Sequence, residues 1–233
     1  MLTFTRNRTA SGARLHQIAT GVSALYWGCG PGSYEGDDPE GSYLYDNGQG
    51  DRFVVGWDAS RAVGLVFGHE SGRSRYRTEG WAEAELKDEA IFTGLIGDTP
   101  WSAALPLTRK ASVALQEVAT AALLVTPEGS WLSDPLTPRS PFANGLEMLV
   151  GFGVPAEVAL LGPGIFQPWA EGQSLDETQA ELCLRWHERS AHGPFGVTED
   201  ERELLRASGT IDAAAVPMAS EALAAVGIHL GQL

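Results

Sequence analysis

The 233-residue sequence contains few of the features that identify a secreted, disulfide-bonded or membrane protein directly. It contains two cysteines, Cys29 and Cys183, which are far apart and form no CxxC pair. Two such thiols do not predict a disulfide framework, and we expect both to be reduced. No run approaches the roughly 20 apolar residues that a membrane span requires, and residues 1–10 lack the apolar segment of a signal peptide. These absences predict a soluble, cytoplasmic protein without a membrane partner.

Basic residues are scarce as well. The chain has 16 Lys and Arg against 30 Asp and Glu, which gives a formal net charge of -14. Residues 1–125 hold 11 basic and 15 acidic groups, whereas residues 126–233 hold 5 basic and 15 acidic groups. This excess of negative charge would repel a phosphate backbone, so we expect no nucleic-acid partner, and it would attract a basic protein.

The sequence also lacks the short motifs that identify common enzyme classes. It contains no nucleophile elbow, no Walker loop and no dinucleotide-binding GxGxxG pattern. We therefore predict no cofactor. The chain is nevertheless long enough to bury a substantial core without crosslinks, and 43% of its residues are hydrophobic.

The most informative stretch lies between residues 28 and 72. Three short runs rich in β-branched and aromatic residues, at 42–45, 52–57 and 62–67, are separated by turn-forming residues. This pattern predicts an antiparallel meander. The second and third runs carry apolar residues on both faces, so we expect them to be central strands that are covered on both sides. The Gly- and Pro-rich segment 28–41 before them is predicted to be a surface loop.

Helical patterns dominate the remainder. We expect a first helix over residues 12–26 with Ser11 as its N-cap. Two sequences of the capping-box type begin at Ser174 and Thr198 and predict helix starts. The full set of further predicted helices covers residues 106–124, 142–151, 155–161, 175–191, 199–208 and 217–226.

The order of these elements predicts the fold class. Strands come early and helices late, which favours an α+β fold with a mainly antiparallel sheet in the N-terminal half and a helical C-terminal half. Prolines between residues 127 and 141 form the best internal boundary. We therefore expect an α+β part over 1–126 and a helical part over 142–233, either separate or packed as one domain.

The segment between Gly32 and Gly41 is the first candidate site. It is acidic and contains an aromatic residue, which suggests an anchor for a basic partner with Tyr34 as a central contact. The other interpretation is a solvated loop without a function. The candidate partner-binding residues here are Tyr34, Glu35, Asp37 and Asp38.

His69 and Glu70 end the third predicted strand and form the second candidate site. At the rim of a sheet they are expected to extend the partner-binding surface. Alternatively, His69 is a general base held by a carboxylate, or both residues are simply a polar strand end. Asp46 and Asp51, in the turn before the second strand, are weaker candidates for oxygen ligands of Ca²⁺ or Mg²⁺. The alternative for that turn is a hairpin in which Asn47 and Gly48 adopt positive φ.

Residues 43–70 resemble part of the SUKH superfamily of bacterial immunity and regulatory proteins. The matching residues are Gly50-Asp51-Arg52-Phe53 at the start of one strand and Gly68-His69-Glu70 at the end of the next. The family's Leu-Pro before a helix and its later Asn-Gly-Gly are not evident, and the helical second half is additional. The resemblance implies a binding protein that neutralises a toxin, often a basic nuclease, and that has no catalytic residues.

Together these patterns favour a non-enzymatic, acidic, cytoplasmic binding protein of immunity or regulatory type that engages a basic protein partner. One alternative is a small metal-assisted hydrolase that uses His69, Glu70, Asp46 and Asp51. Another is a scaffold subunit whose helical half packs against its partner.

Overall fold

A computed structural model describes residues 2–28, 30–37, 39–48, 50–68, 71, 106–108, 119–133, 143–162 and 175–233. The helices are α1 (Arg6–Trp27), a 3₁₀ helix (Ala143–Gly153), α2 (Ala156–Leu161), α3 (Glu177–Ser190), α4 (Glu199–Ser208) and α5 (Val216–Ala224). The strands are β1 (Ser33–Asp37), β2 (Glu40–Asp46), β3 (Arg52–Trp57), β4 (Ala62–Phe67), β5 (Ala121–Thr126), β6 (Gly129–Leu132), β7 (Phe195–Gly196) and β8 (Ile228–His229).

Strands β1 to β6 form one sheet in which each strand is antiparallel to its neighbours and the spatial order follows the chain. Strands β7 and β8 form a small parallel pair among the C-terminal helices. The predicted α+β class, with its antiparallel sheet early and its helices late, is confirmed. Within the described ranges, no helix is long and apolar enough to cross a membrane.

The two central strands β3 and β4 have the predicted bounds and are buried on both faces. Phe53, Val55 and Trp57 point to the face that α1 covers and belong to the main core. Val54 and Leu65, which are register partners, lie on the opposite face in a second apolar cluster. Successive side chains of a strand point to opposite faces, so the period of two in the sequence assigned these residues to the correct faces. Both faces are apolar because both are buried.

Helix α1 begins earlier than its sequence pattern predicted. Thr5, not Ser11, is the N-cap: its backbone is extended, the helix begins directly after it, and its hydroxyl accepts the Arg8 N–H at 3.2 Å. Ser11 lies inside α1, and its hydroxyl oxygen is 3.0 Å from His187 Nε2 of α3. Gly28 ends the helix in the left-handed conformation with φ 61° and donates its N–H to Ala24.

The predicted helix over 106–124 is wrong at its C-terminal end. Residues 121–124 belong to β5, which pairs with β4 and is buried along most of its length. Alanine and leucine favour a helix, but intrinsic propensity is a weak determinant, and pairing in the centre of the sheet overrides it. Residues 106–108 form a short 3₁₀ turn, and residues 109–118 lie outside the described part.

The segment 28–41 is also more ordered than predicted. Instead of a loop, residues 33–37 form β1, which pairs with β2 and lies at the end of the described sheet. Strand β2 correspondingly begins at Glu40 rather than at residue 42. One of the glycines that suggested a loop permits the pairing. Gly36 has φ 114° and lies so close to β2 that an added Cβ would be 2.5 Å from the Glu40 carbonyl oxygen.

The helix starts in the second half are set by capping boxes, one of which was misplaced. Helix α4 has the predicted N-cap Thr198, with Glu201 as its reciprocal partner. For α3, the N-cap is Asp176 with Gln179 as its partner, so the prediction of Ser174 was wrong. Ser174 and Asp176 are each followed three residues later by Glu or Gln, so the pattern alone did not distinguish the two positions. Ser174 itself lies outside the described residues.

One main core joins the sheet to the C-terminal helices. It contains Phe53 and Trp57 from the sheet, Ile18 from α1, Trp186 from α3 and Leu223 from α5. The sheet also continues to Leu132 in β6, beyond residue 126 where the predicted first part ends. Helix α1 therefore lies between the sheet and the later helices and packs on both.

Candidate functional site

The β1–β2 hairpin holds the predicted acidic segment in a defined register. All five residues of β1 pair with β2, from Ser33 opposite Leu44 to Asp37 opposite Glu40. Glu35 is opposite Ser42 on the same alternating set of positions. The hairpin therefore brings the acidic positions 35, 37 and 40 to one face.

Tyr34 lies on the other face of the hairpin and is half-buried. Its ring centroid is 5.8 Å from that of Trp57 and 6.5 Å from that of Tyr43, its register partner. Tyr34, which is predicted to be a central partner contact, thus has a structural role as well. Its ring packs on the core and holds β1 against the sheet.

The hairpin tip is tied to the rest of the molecule by one arginine. The Arg6 guanidinium donates to the carbonyl oxygen of Pro39 in the β1–β2 turn. It also donates through Nε to the carbonyl oxygen of Asp58, at 2.7 Å, in the β3–β4 turn. Because Arg6 begins α1, it connects the tip of the acidic hairpin to this helix and to the β3–β4 turn.

A like-charged pair stands at that tip. The backbone of Asp37 is directly opposite that of Glu40. Asp38 follows in the turn but lies outside the described residues, as do His69 and Glu70. The predicted grouping of these last two residues with the acidic segment therefore stays a prediction.

The weaker predicted candidate, the turn with Asp46 and Asp51, has the contacts of a tight hairpin. Asp46 accepts the Gly48 N–H at 2.9 Å and pairs with Arg52 at 2.7 Å. Asp51 accepts from the Asn47 side chain at 3.0 Å. Gly48 has φ 72°, as the hairpin interpretation requires of this position.

Glu147 of the 3₁₀ helix adds a third carboxyl group to this neighbourhood. Burial raises its pKa, its own backbone N–H opposes the shift, and the charge of Asp51 adds to it. Even with Glu147, the described residues contain no group of three or more His, Cys, Asp or Glu side chains suited to hold a metal ion. The geometry of this turn is that of a structural element.

A buried polar pair lies beneath the sheet face that α1 covers. His16 of α1 and Tyr43 of β2 share a hydrogen bond of 2.7 Å between Nδ1 and the hydroxyl oxygen. Burial lowers the pKa of His16 to about 3 and raises that of Tyr43. Both side chains are inaccessible to solvent, so the pair joins the helix to the sheet and is not positioned to meet a substrate.

A groove at the C-terminal end of α1 was not predicted. It has a volume of about 460 Å³, opens to solvent and is lined by Tyr26, Trp27, Asp176, Gln179 and residues 208–210. Trp27 is 62% exposed, an unusual position for so large an apolar side chain. One feature of the sequence indicates that Trp27 is exposed. The buried residues of α1 include Leu15, Ile18 and Leu25, and Trp27 falls off that helical spacing.

The walls of the groove are held by internal hydrogen bonds. The Tyr26 hydroxyl donates to the Leu205 carbonyl oxygen at 2.8 Å, and burial raises the Tyr26 pKa to about 12. Asp176 Oδ1 accepts the Gln179 N–H at 2.8 Å, and Gln179 Oε1 accepts the Asp176 N–H at 3.0 Å. The groove is therefore a preformed surface with an exposed indole and an exposed carboxylate.

No protein-family model matches the chain. Neither a curated protein nor a solved structure shows significant similarity to it. The candidate functional sites are therefore the two surfaces described above, the acidic β1–β2 hairpin and the groove at the end of α1. The resemblance of residues 43–70 to the SUKH superfamily stays a prediction.

Proposed function

We propose that this chain is a non-enzymatic binding protein of immunity or regulatory type that engages a basic protein partner. The acidic β1–β2 hairpin is the proposed recognition surface. His69 and Glu70, as predicted from the sequence, extend it. The cytoplasm is the proposed location.

The observation that carries this proposal is the register of the hairpin. The pairing of β1 with β2 sets three acidic positions, 35, 37 and 40, on the same alternating set across the two strands. Acidic groups gathered on one surface steer the approach of a basic partner. The tight pairing of β1 and the contacts of Tyr34 fix the spacing of these charges before any partner arrives.

The charge of the whole chain supports the same proposal. A formal net charge of -14 gives a long-range field that accelerates the approach of a cationic protein. The SUKH resemblance, if it extends to function, implies a toxin as the partner, often a basic nuclease. The turn with Asp46 and Asp51 has the contacts of a hairpin, which favours binding over the alternative of a metal-assisted hydrolase.

The test starts with capture of partners from the native host by tagged wild-type protein. It continues with association rates measured by surface plasmon resonance over a salt series. Changing Glu35, Asp37 and Glu40 together to Gln, Asn and Gln should slow association about three- to tenfold at low salt, because rim charges mainly set the on-rate. The effect should fade at physiological salt, where the screening length is about 8 Å.

The matched control changes three exposed glutamates elsewhere, Glu181, Glu203 and Glu221, to Gln and removes the same net charge. This control should slow association much less, since its charges lie outside the hairpin. Equal on-rates for the hairpin variant and the control at every salt concentration would reject the hairpin as the recognition surface. Capture of no basic protein at all would reject the proposed partner class.

A further inference from the structure

The groove at the end of α1 combines features that suit a cationic side chain. Its lining includes Trp27, which is 62% exposed, and the exposed Asp176. The face of an indole ring attracts cations, and a guanidinium group stacks on it while its N–H donors reach a carboxylate. We propose that this groove receives an arginine side chain of a basic protein partner. The inference rests on the proposed function and adds a second point of contact to it.

The local charge is consistent with a cation. Helix α1 has 22 residues and no basic residue in its last turn, so the negative end of its dipole meets no positive charge from that turn. Asp212 lies beside this end: its Oδ2 is 3.6 Å from the position that a Cβ on Gly28 would take. The described lining contains no Lys or Arg. Thus Asp176, Asp212 and the end of α1 all disfavour an anionic occupant. The N-terminal end of α3 carries the opposite partial charge, and the Asp176 carboxylate that caps it offsets this charge.

Size and rigidity favour a single side chain rather than a flat surface contact. A volume of about 460 Å³ lies within the range of small-ligand sites. The Tyr26 hydroxyl and the Asp176–Gln179 capping box hold the walls in place, so little ordering is needed when the groove is filled. Arginine fits better than lysine because its planar group can stack and donate in two directions at once.

The decisive measurement is a titration followed by nuclear magnetic resonance. The probe is a capped pentapeptide with one central arginine flanked by glycines, compared with the same peptide carrying lysine or neutral citrulline. The arginine peptide should shift the indole N–H of Trp27 and the amide of Gly209, with a dissociation constant on the order of 1 mM. The citrulline peptide should bind at least about fivefold more weakly because it lacks the charge.

Two variants separate recognition from stability. Asp176→Asn removes the charge but keeps a good N-cap residue, so α3 should remain folded. It should weaken arginine binding about threefold or more, and Trp27→Ala should weaken it about fivefold or more. The controls are Trp131→Ala, which removes a 45% exposed tryptophan of β6, and Glu181→Gln, which removes an exposed charge of α3. Both controls should leave the dissociation constant unchanged.

The outcomes test the groove separately from the hairpin. Equal binding of the arginine and citrulline peptides, or shifts confined to the hairpin residues Glu35 and Glu40, would overturn the groove as an arginine site. The same holds if the captured partner associates and dissociates equally well with Trp27→Ala and with wild type. In these cases the salt series on the hairpin variant still tests the hairpin proposal. Conversely, groove shifts that need the arginine charge would support the inference even if the hairpin variant had no effect.

Discussion

The close approach of β3 to the turn at residues 106–108 leads to a sharp prediction about stability. A Cβ added to Gly56 would lie 2.2 Å from the Leu107 carbonyl oxygen and 2.4 Å from its carbon. Both are backbone atoms, so the two segments must move apart by about 1 Å to reach a normal contact. Gly56 is therefore small because another segment of chain crosses the sheet at this point.

The expected magnitude follows from two opposing effects. Alanine in a strand gains roughly 0.5–1 kcal/mol over glycine because it loses less backbone entropy. Overpacking against a backbone segment typically costs about 1–3 kcal/mol. Because the contacted atoms are backbone, the overpacking cost should lie in the upper part of this range, and Gly56→Ala should lower the free energy of unfolding by about 1–2 kcal/mol.

Two other glycines provide matched controls for the same substitution. At Gly64 the nearest atoms are the ends of side chains, Leu149 Cδ1 at 3.1 Å and Val55 Cγ1 at 3.3 Å, and these can shift by a few tenths of an ångström. Gly64→Ala should thus change the unfolding free energy by less than about 1 kcal/mol. At Gly196 nothing lies within 4 Å, and alanine there should be neutral or stabilise by up to about 1 kcal/mol.

Urea unfolding of the three variants, followed by circular dichroism, measures the series. With a slope of about 2–3 kcal/mol/M, Gly56→Ala should lower the midpoint by about 0.5 M. A midpoint for Gly56→Ala within error of wild type, at an unchanged slope, would refute the crossing of Leu107 over β3. A larger loss at Gly196 than at Gly56 would contradict the packing argument as a whole.

Two further predictions concern the core and the pH dependence. Phe67 is 6% exposed in the second apolar cluster, so Phe67→Ala should cost about 3–5 kcal/mol in urea unfolding, and a loss under about 1 kcal/mol would contradict its burial. Burial lowers the pKa of His187, although the hydrogen bond that its Nε2–H donates to the Ser11 carbonyl oxygen opposes the shift. The unfolded state therefore binds this proton first, and the native state loses stability as the pH falls below the ordinary value of 6.5 and on through the lowered native pKa. The urea midpoint of wild type should accordingly fall more between pH 7 and pH 5 than that of His187→Gln, and equal falls would contradict this reasoning.

The sequence by itself determined those elements whose signal is local or strictly periodic. In β3, Phe53, Val55 and Trp57 alternate with Val54, and that period of two is a sufficient signal for a central strand. The helix start at Thr198 was equally predictable because the capping box lies within four consecutive residues. The α+β class followed from the order of such segments.

Other features depended on contacts between residues far apart in the chain. Residues 121–124 have a composition that suits a helix, but pairing with β4 makes them a central strand. Residues 33–37 have the glycines of a loop, yet Gly36 uses its freedom to pair with β2.

The candidate sites divide in the same way. Acidic residues near Tyr34 were visible in the sequence because they are contiguous, but only the register places Asp37 opposite Glu40. The groove was not predictable, since Trp27 and Asp176 are far apart along the chain and meet only when α1, α3 and the end of α4 pack together. Local patterns determine where a chain forms helices and strands, whereas a surface built from several elements exists only after they pack, because the burial of their apolar faces sets their relative positions.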